Sequence, residues 1–182
     1  MNPNDPRKSL FDALYGRLNP APPPKPAVSF LQQMTQQRVR IAKPKVFVSF
    51  DFENDVHYKR LLEAWSANTR FQFTFQDKTP QEIQSDDIGR IKAGLTHKLK
   101  EASHVLVVVG QYANQWHRDH AKIGHRNWIN FEVYQGKQYN KKLVAVRLHP
   151  SYVLPDEVTN ATSGWLVDGF NQANIIAALN KG

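Results

Sequence analysis

Glu132 stands in the stretch HRNWINFEVYQGK, residues 125 to 137. A helix turns 100° per residue, which places Trp128, Ile129, Gly136 and Tyr139 on one side. Asn130, Tyr134 and Lys137 fall roughly opposite, and Glu132 lands in the middle of the apolar side. Carboxylates normally keep to the polar face, and Glu is seldom fully buried without a partner. Two readings follow. In the structural one, the Glu132 head reaches an Arg or Lys. In the chemical one, a carboxylate walled by Trp128 and Ile129, away from bulk water, acts strongly on positive charge that develops in a transition state.

Other residues suit a site of that kind. Ser49 and Asp51 can bind hydroxyls, and Phe50 between them can stack on a ring. Each also has a plain alternative, with Trp128 as core packing and Asp51 as the N-cap of the next helix. His117, His120 and His125 lie close together, but the segment HRDHAKIGH reads as a polar loop rather than a metal site. If these histidines act, they line the mouth of the site.

The elements that must position these residues alternate between strand and helix after Lys43. KVFVSF (45–50), FQFTF (71–75), HVLVVVG (104–110), KLVAVRL (142–148) and WLV (165–167) read as strands, the third central and the last a short edge. ENDVHYKRLLEAWSAN, DDIGRIKAGLTHKLKEA, the Glu132 segment and ANIIAAL read as helices. This alternation predicts a parallel sheet covered on both faces. Ligands of such sheets bind at the carboxyl ends of the strands, where Ser49, Phe50, Asp51, Gln76, Asp77 and Gly110 stand. Neither G-x-G-x-x-G nor G-x-x-x-x-G-K-[ST] occurs. The third strand ends in VVVG, where a phosphorylated receiver domain needs an aspartate.

Composition sets the outer limits. The chain has 182 residues, an apolar fraction of 41% and no cysteine, which excludes disulfides and thiolate metal sites and fits a reducing cytoplasm. No apolar run reaches the length of a membrane span, and MNPNDPRKSL lacks the core of a signal peptide. The net charge is +8, but residues 1–43 carry seven basic residues against Asp5 and Asp12. This extension reads as short helices (Leu10, Phe11, Leu14 and Leu18; then Val28, Leu31 and Met34) around the stiff spacer PAPPPKP. The expected domains are therefore a basic extension, 1–43, and an α/β domain, 44–182.

VFVSFDFEND, then VLVVVG, then Trp128-x-x-x-Glu132 resembles, in that order and spacing, the TIR-like domain family. The nearest likeness is to the TIR-like signalling component of bacterial Thoeris anti-phage systems, over about Lys45 to Leu148. The resemblance implies a flavodoxin-like three-layer sandwich with a five-stranded parallel sheet in order 2-1-3-4-5. It implies that Glu132 is the carboxylate with which such enzymes break the nicotinamide–ribose bond of NAD; on the reading of the residues given above, Ser49, Phe50, Asp51 and Trp128 are then the candidate substrate-binding residues. NAD is then substrate, and neither a cofactor nor a metal is expected. The product is a cyclic ADP-ribose isomer or an ADP-ribosyl conjugate that activates a partner effector. Self-association through the domain is implied as well. The segment 111–126 is longer and more basic than the family pattern, and residues 1–43 have no counterpart in it.

The residues themselves accommodate that chemistry. Nicotinamide leaves as a neutral group and needs no general acid, so the two-carboxylate scheme of ordinary glycosidases reduces to one carboxylate facing an oxocarbenium-like ribose. Two other classes of function stay open on sequence alone. One is a TIR-like interaction module without chemistry. The other is a nucleic-acid or anion binder using the basic arm, although no zinc-finger spacing or Arg/aromatic repeat accompanies that charge.

Overall fold

The computed structural model describes residues 43–68, 71–76, 83, 85–160 and 165–181. The chain parts into two units, 1–41 and 42–182. The helices expected before Lys43, and Asp77 with the polar loop after it, lie outside the described residues. Among these, no helix is long and apolar enough to cross a membrane.

Five strands form one sheet: β1 (Lys45–Ser49), β2 (Thr74–Gln76), β3 (His104–Val109), β4 (Lys142–Arg147) and β5 (Trp165–Asp168). Their order is β2-β1-β3-β4-β5 and every pairing is parallel. The fold is α/β, flavodoxin-like. β3 is the middle strand and all six of its residues are buried, as expected of a Val-rich run covered on both faces. The switch in strand order lies between β1 and β3, and this is where such folds open a crevice at the carboxyl ends.

Helices α1 (Phe52–Ala67), α2 (Ile88–Glu101) and α4 (Trp128–Gln138) carry the connections, with α6 (Gln172–Lys181) closing the chain. Short turns of helix, α3 (His120–Ile123) and α5 (Asp156–Thr159), interrupt the loops. Two apolar layers result. One sets Leu95, Leu99, Phe131 and Val133 against Phe47, Val105 and Val107. The other sets Leu62, Ile175 and Leu179 against Val46, Leu106 and Val144. Alternate residues of each strand feed opposite layers, as a pleated strand requires.

Three expectations need correction. Strand pairing in FQFTF starts only at Thr74, opposite Lys45; Phe71 and Phe73 are buried as packing residues outside the ladder. HRDHAKIGH contains α3, a single helical turn closed by Gly124 at φ 77°, where a glycine adopts the left-handed cap most readily. Asn130, placed on the polar side of α4 by periodicity, is instead buried.

Candidate functional site

The site is built where β1 and β3 end and α1 and α4 begin. Asp51 caps α1, its carboxylate accepting from the backbone N–H of Glu53 at 3.0 Å and from the Asn54 amide at 2.8 Å. Asn127 caps α4 by accepting from the Asn130 N–H at 3.0 Å. The same Asn127 donates its amide to the carbonyls of Ala113 at 2.9 Å and Gln115 at 2.8 Å. The loop after β3 is thereby tied to the start of the Glu132 helix.

Asn130 extends this polar network, which is why burial suits it. Its amide donates to Asn127 Oδ1 and to Asn114 Oδ1, and its carbonyl oxygen accepts from the Glu157 N–H at 3.0 Å. Asn114 in turn donates to Asp156, whose other oxygen accepts from Arg126 Nε at 2.7 Å. Buried polar groups persist when satisfied in this way.

Glu132 is 4% exposed. Its hydrogen-bond partner is the Ser49 hydroxyl, which donates to Oε2. The Arg or Lys of the structural reading is not found, since no ion pair to Glu132 forms among the described residues. Burial pushes the Glu132 carboxyl up to about 8, against the opposing pull of the Ser49 hydrogen bond. The helix around it is buried on most sides, and Gly136 lets it approach β3 closely: a Cβ there would lie 2.9 Å from Val105 Cγ2.

A pocket of about 210 Å³ opens beside this pair. Phe50, Asp51, Phe52, Glu53 and Asn54 form one wall. Tyr112, Gln115, Trp116 and His117 from the loop after β3, with Asn127, Trp128 and Ile129, complete it. Thus Phe50, Asp51 and Trp128 line one cavity. Ser49 and Glu132 are not lining residues: Ser49 directly precedes the lining residue Phe50, and Glu132 follows the lining residue Trp128 by one helical turn.

The histidines separate. His117 lines the pocket with its ring 6.3 Å from that of Trp128. His120 packs against Trp116, and His125 turns away to Tyr134 and Phe131. No cluster of three metal-type side chains occurs among the described residues.

Sequence reasoning missed Asp55. It sits in the first turn of α1, is 6% exposed, and its Oδ2 has no hydrogen-bond partner among the described residues. Burial first, and then the Asp51 charge, push its carboxyl up to about 6, while His57 pulls it down. The carboxylate is pressed against Gly110, where a Cβ would lie 2.0 Å from Oδ2. The glycine ending VVVG was the available signal: a side chain there would collide with Asp55. Trp116, Tyr112 and Gln115 were also missed, because loop residues carry no periodicity.

A family model described as "Thoeris protein ThsB, TIR-like domain" matches residues 47–152. That span includes all five residues picked out above, Ser49, Phe50, Asp51, Trp128 and Glu132. A search of the curated proteins gives no match. Among solved structures, the 1.60 Å crystal structure of a 3-dehydroquinate dehydratase-like protein from Bifidobacterium longum is similar at 15% identity and a TM-score of 0.40. The similarity covers 76% of this chain and 94% of that one.

Proposed function

Since the chain belongs to the TIR-like domain family of the Thoeris protein ThsB, matched over more than half its length, we propose that it cleaves the nicotinamide–ribose bond of NAD. The observation that carries this reading is a buried carboxylate, Glu132, bonded to Ser49 beside an aromatic-lined pocket. Among the described residues no cation pairs with Glu132, so its ionised form is costly to hold at rest.

The chemistry is as follows. The C1′–N bond breaks, the electron pair goes to the nicotinamide nitrogen, and the ring departs neutral. Positive charge moves to C1′ and the ribose oxygen, where ionised Glu132 stabilises it. At rest Glu132 holds a proton near neutral pH, since its carboxyl is raised to about 8. The cationic nicotinamide ring of NAD favours the ionised form, so substrate binding and loss of that proton are linked. Phe50 and Trp128 flank the ring, and Ser49 and Asp51 serve the ribose hydroxyls. Water attacking C1′ gives ADP-ribose and one proton. Attack by an adenine nitrogen or a hydroxyl of the same molecule gives a cyclic isomer, again with loss of one proton. The product is a signal for a partner effector in anti-phage defence.

Glu132 is 4% exposed and does not line the pocket, so substrate reaches it only if neighbouring side chains shift. Self-association through the domain supplies that shift. Activity per molecule then rises with protein concentration, whereas strict proportionality over a wide range would place the complete site in one chain.

The competing reading is a TIR-like interaction module without chemistry, favoured by the 4% exposure of Glu132. Incubating the protein with NAD and resolving the products by mass separates the two. Nicotinamide with an equimolar ADP-ribosyl product supports the enzyme, and unchanged NAD at high protein concentration supports the module.

A further inference from the structure

Trp116 is the most exposed of the four tryptophans, at 62%. It lines the same pocket as Trp128, in the loop after β3. Its place is fixed from several directions. The Arg126 guanidinium lies over the indole at 4.4 Å from the ring centroid, and the His120 ring meets it edge-on at 4.8 Å. Arg126 is itself anchored through Nε to Asp156, which Asn114 also holds. The backbone just before Trp116 is pinned where the Gln115 carbonyl accepts from Asn127, and the His117 N–H donates to the Arg126 carbonyl at 2.9 Å.

An exposed indole on so firm a support is pre-organised for a planar ligand, because little side-chain freedom is lost on binding. Bases stack on such rings irrespective of their identity, and the Arg126 guanidinium lying over the indole backs that platform. Gln115, next in sequence and lining the same pocket, offers an amide donor and acceptor to a base edge.

We propose that Trp116, backed by Arg126, is the stacking platform for the purine end of a nucleotide, so that the pocket has two ends. The inference rests on the NAD reading for the choice of an adenine nucleotide: the nicotinamide end lies toward Phe50 and Trp128, and the adenylate end toward Trp116. It makes the loop after β3 a determinant of substrate affinity rather than of bond cleavage.

The test is binding of AMP, which has no nicotinamide bond, and of nicotinamide mononucleotide, measured by calorimetry on the full chain. Wild type, Trp116→Ala and Trp116→Phe are compared, with melting temperatures taken alongside. Trp116→Ala weakens AMP binding roughly 5- to 150-fold, the range that alanine substitution removes from a base–aromatic stack. Trp116→Phe retains most of the affinity, and nicotinamide mononucleotide binds all three within about twofold. The proposal is overturned if wild type does not bind AMP, if Trp116→Ala binds it unchanged, or if both ligands weaken equally. AMP binding through Trp116 with no nicotinamide release from NAD would refute the cleavage reading and leave this one standing. Cleavage of NAD with AMP binding indifferent to Trp116 would do the reverse.

Discussion

Ser49, the last residue of β1, donates its hydroxyl to Glu132 in α4, 83 residues later in the chain. The bond joins the end of one strand to the second turn of a helix that follows another. It is a product of parallel topology, which brings every strand's carboxyl end to one side. It also opposes the effect of burial by favouring ionised Glu132.

Removing that donor gives the first prediction. In Ser49→Ala the Glu132 carboxyl rises further and less of it is ionised at neutral pH. A hydrogen bond to a charged group contributes ~1.5–3 kcal/mol, so NAD cleavage at pH 7 falls ~10-fold or more. Activity recovers as pH is raised. In wild type, kcat/KM rises through about pH 8, where free Glu132 titrates, and in Ser49→Ala the rise moves to higher pH. An unshifted profile would separate Ser49 from the chemistry.

Stability changes with pH in the opposite direction. An acid whose folded pKa is raised stabilises the fold fully below its unfolded pKa, and that contribution is lost as pH rises through the folded value. For Asp55 the window runs from 3.8 to about 6, and for Glu132 from 4.5 to about 8. Burial lowers His104 and His125 below 6.5, which acts oppositely at acid pH. Between pH 6.5 and 8 Glu132 dominates, and one proton contributes about 1.4 kcal/mol per pH unit. Unfolding free energy should drop by roughly 2 kcal/mol across that range. Glu132→Gln, neutral and nearly isosteric, flattens the slope; a slope unchanged in the variant would mean that Glu132 does not carry it.

Much of the fold was legible because Val-rich strands and Leu-spaced helices follow distinct periods. KVFVSF, HVLVVVG and KLVAVRL match β1, β3 and β4 to within a residue at either end. FQFTF was less legible because Phe71 and Phe73 are buried as anchors beside a ladder of only three pairs. The site was partly legible. Glu132 on an apolar face and Asp51 before a helix both gave signals, and Asp51 proves to be the cap as well as a pocket residue. The partner of Glu132 was hidden because pairing across 83 residues follows from topology and not from spacing. Asn130 misled because a satisfied amide network can be buried as completely as a leucine.

Gly110 and Asp55 supply a stability test. A Cβ at Gly110 would overlap the Asp55 carboxylate, so Gly110→Ala forces a shift costing about 1–3 kcal/mol, typical of overpacking. Asp55→Ala removes the obstacle. In a double-mutant cycle read by denaturant unfolding, the second substitution should cost less in the Gly110→Ala background than in wild type. Simple additivity would mean that the two residues do not meet in solution.

The central claim is that Glu132 is on the apolar face for chemistry. Its most direct measurement is the rate of nicotinamide release from NAD by wild type and Glu132→Gln at equal, high concentration and pH 8. Wild type should release nicotinamide and the variant should lose at least ~100-fold of that rate, the scale of one strong electrostatic contact in a transition state. Release by Glu132→Gln at the wild-type rate would contradict it.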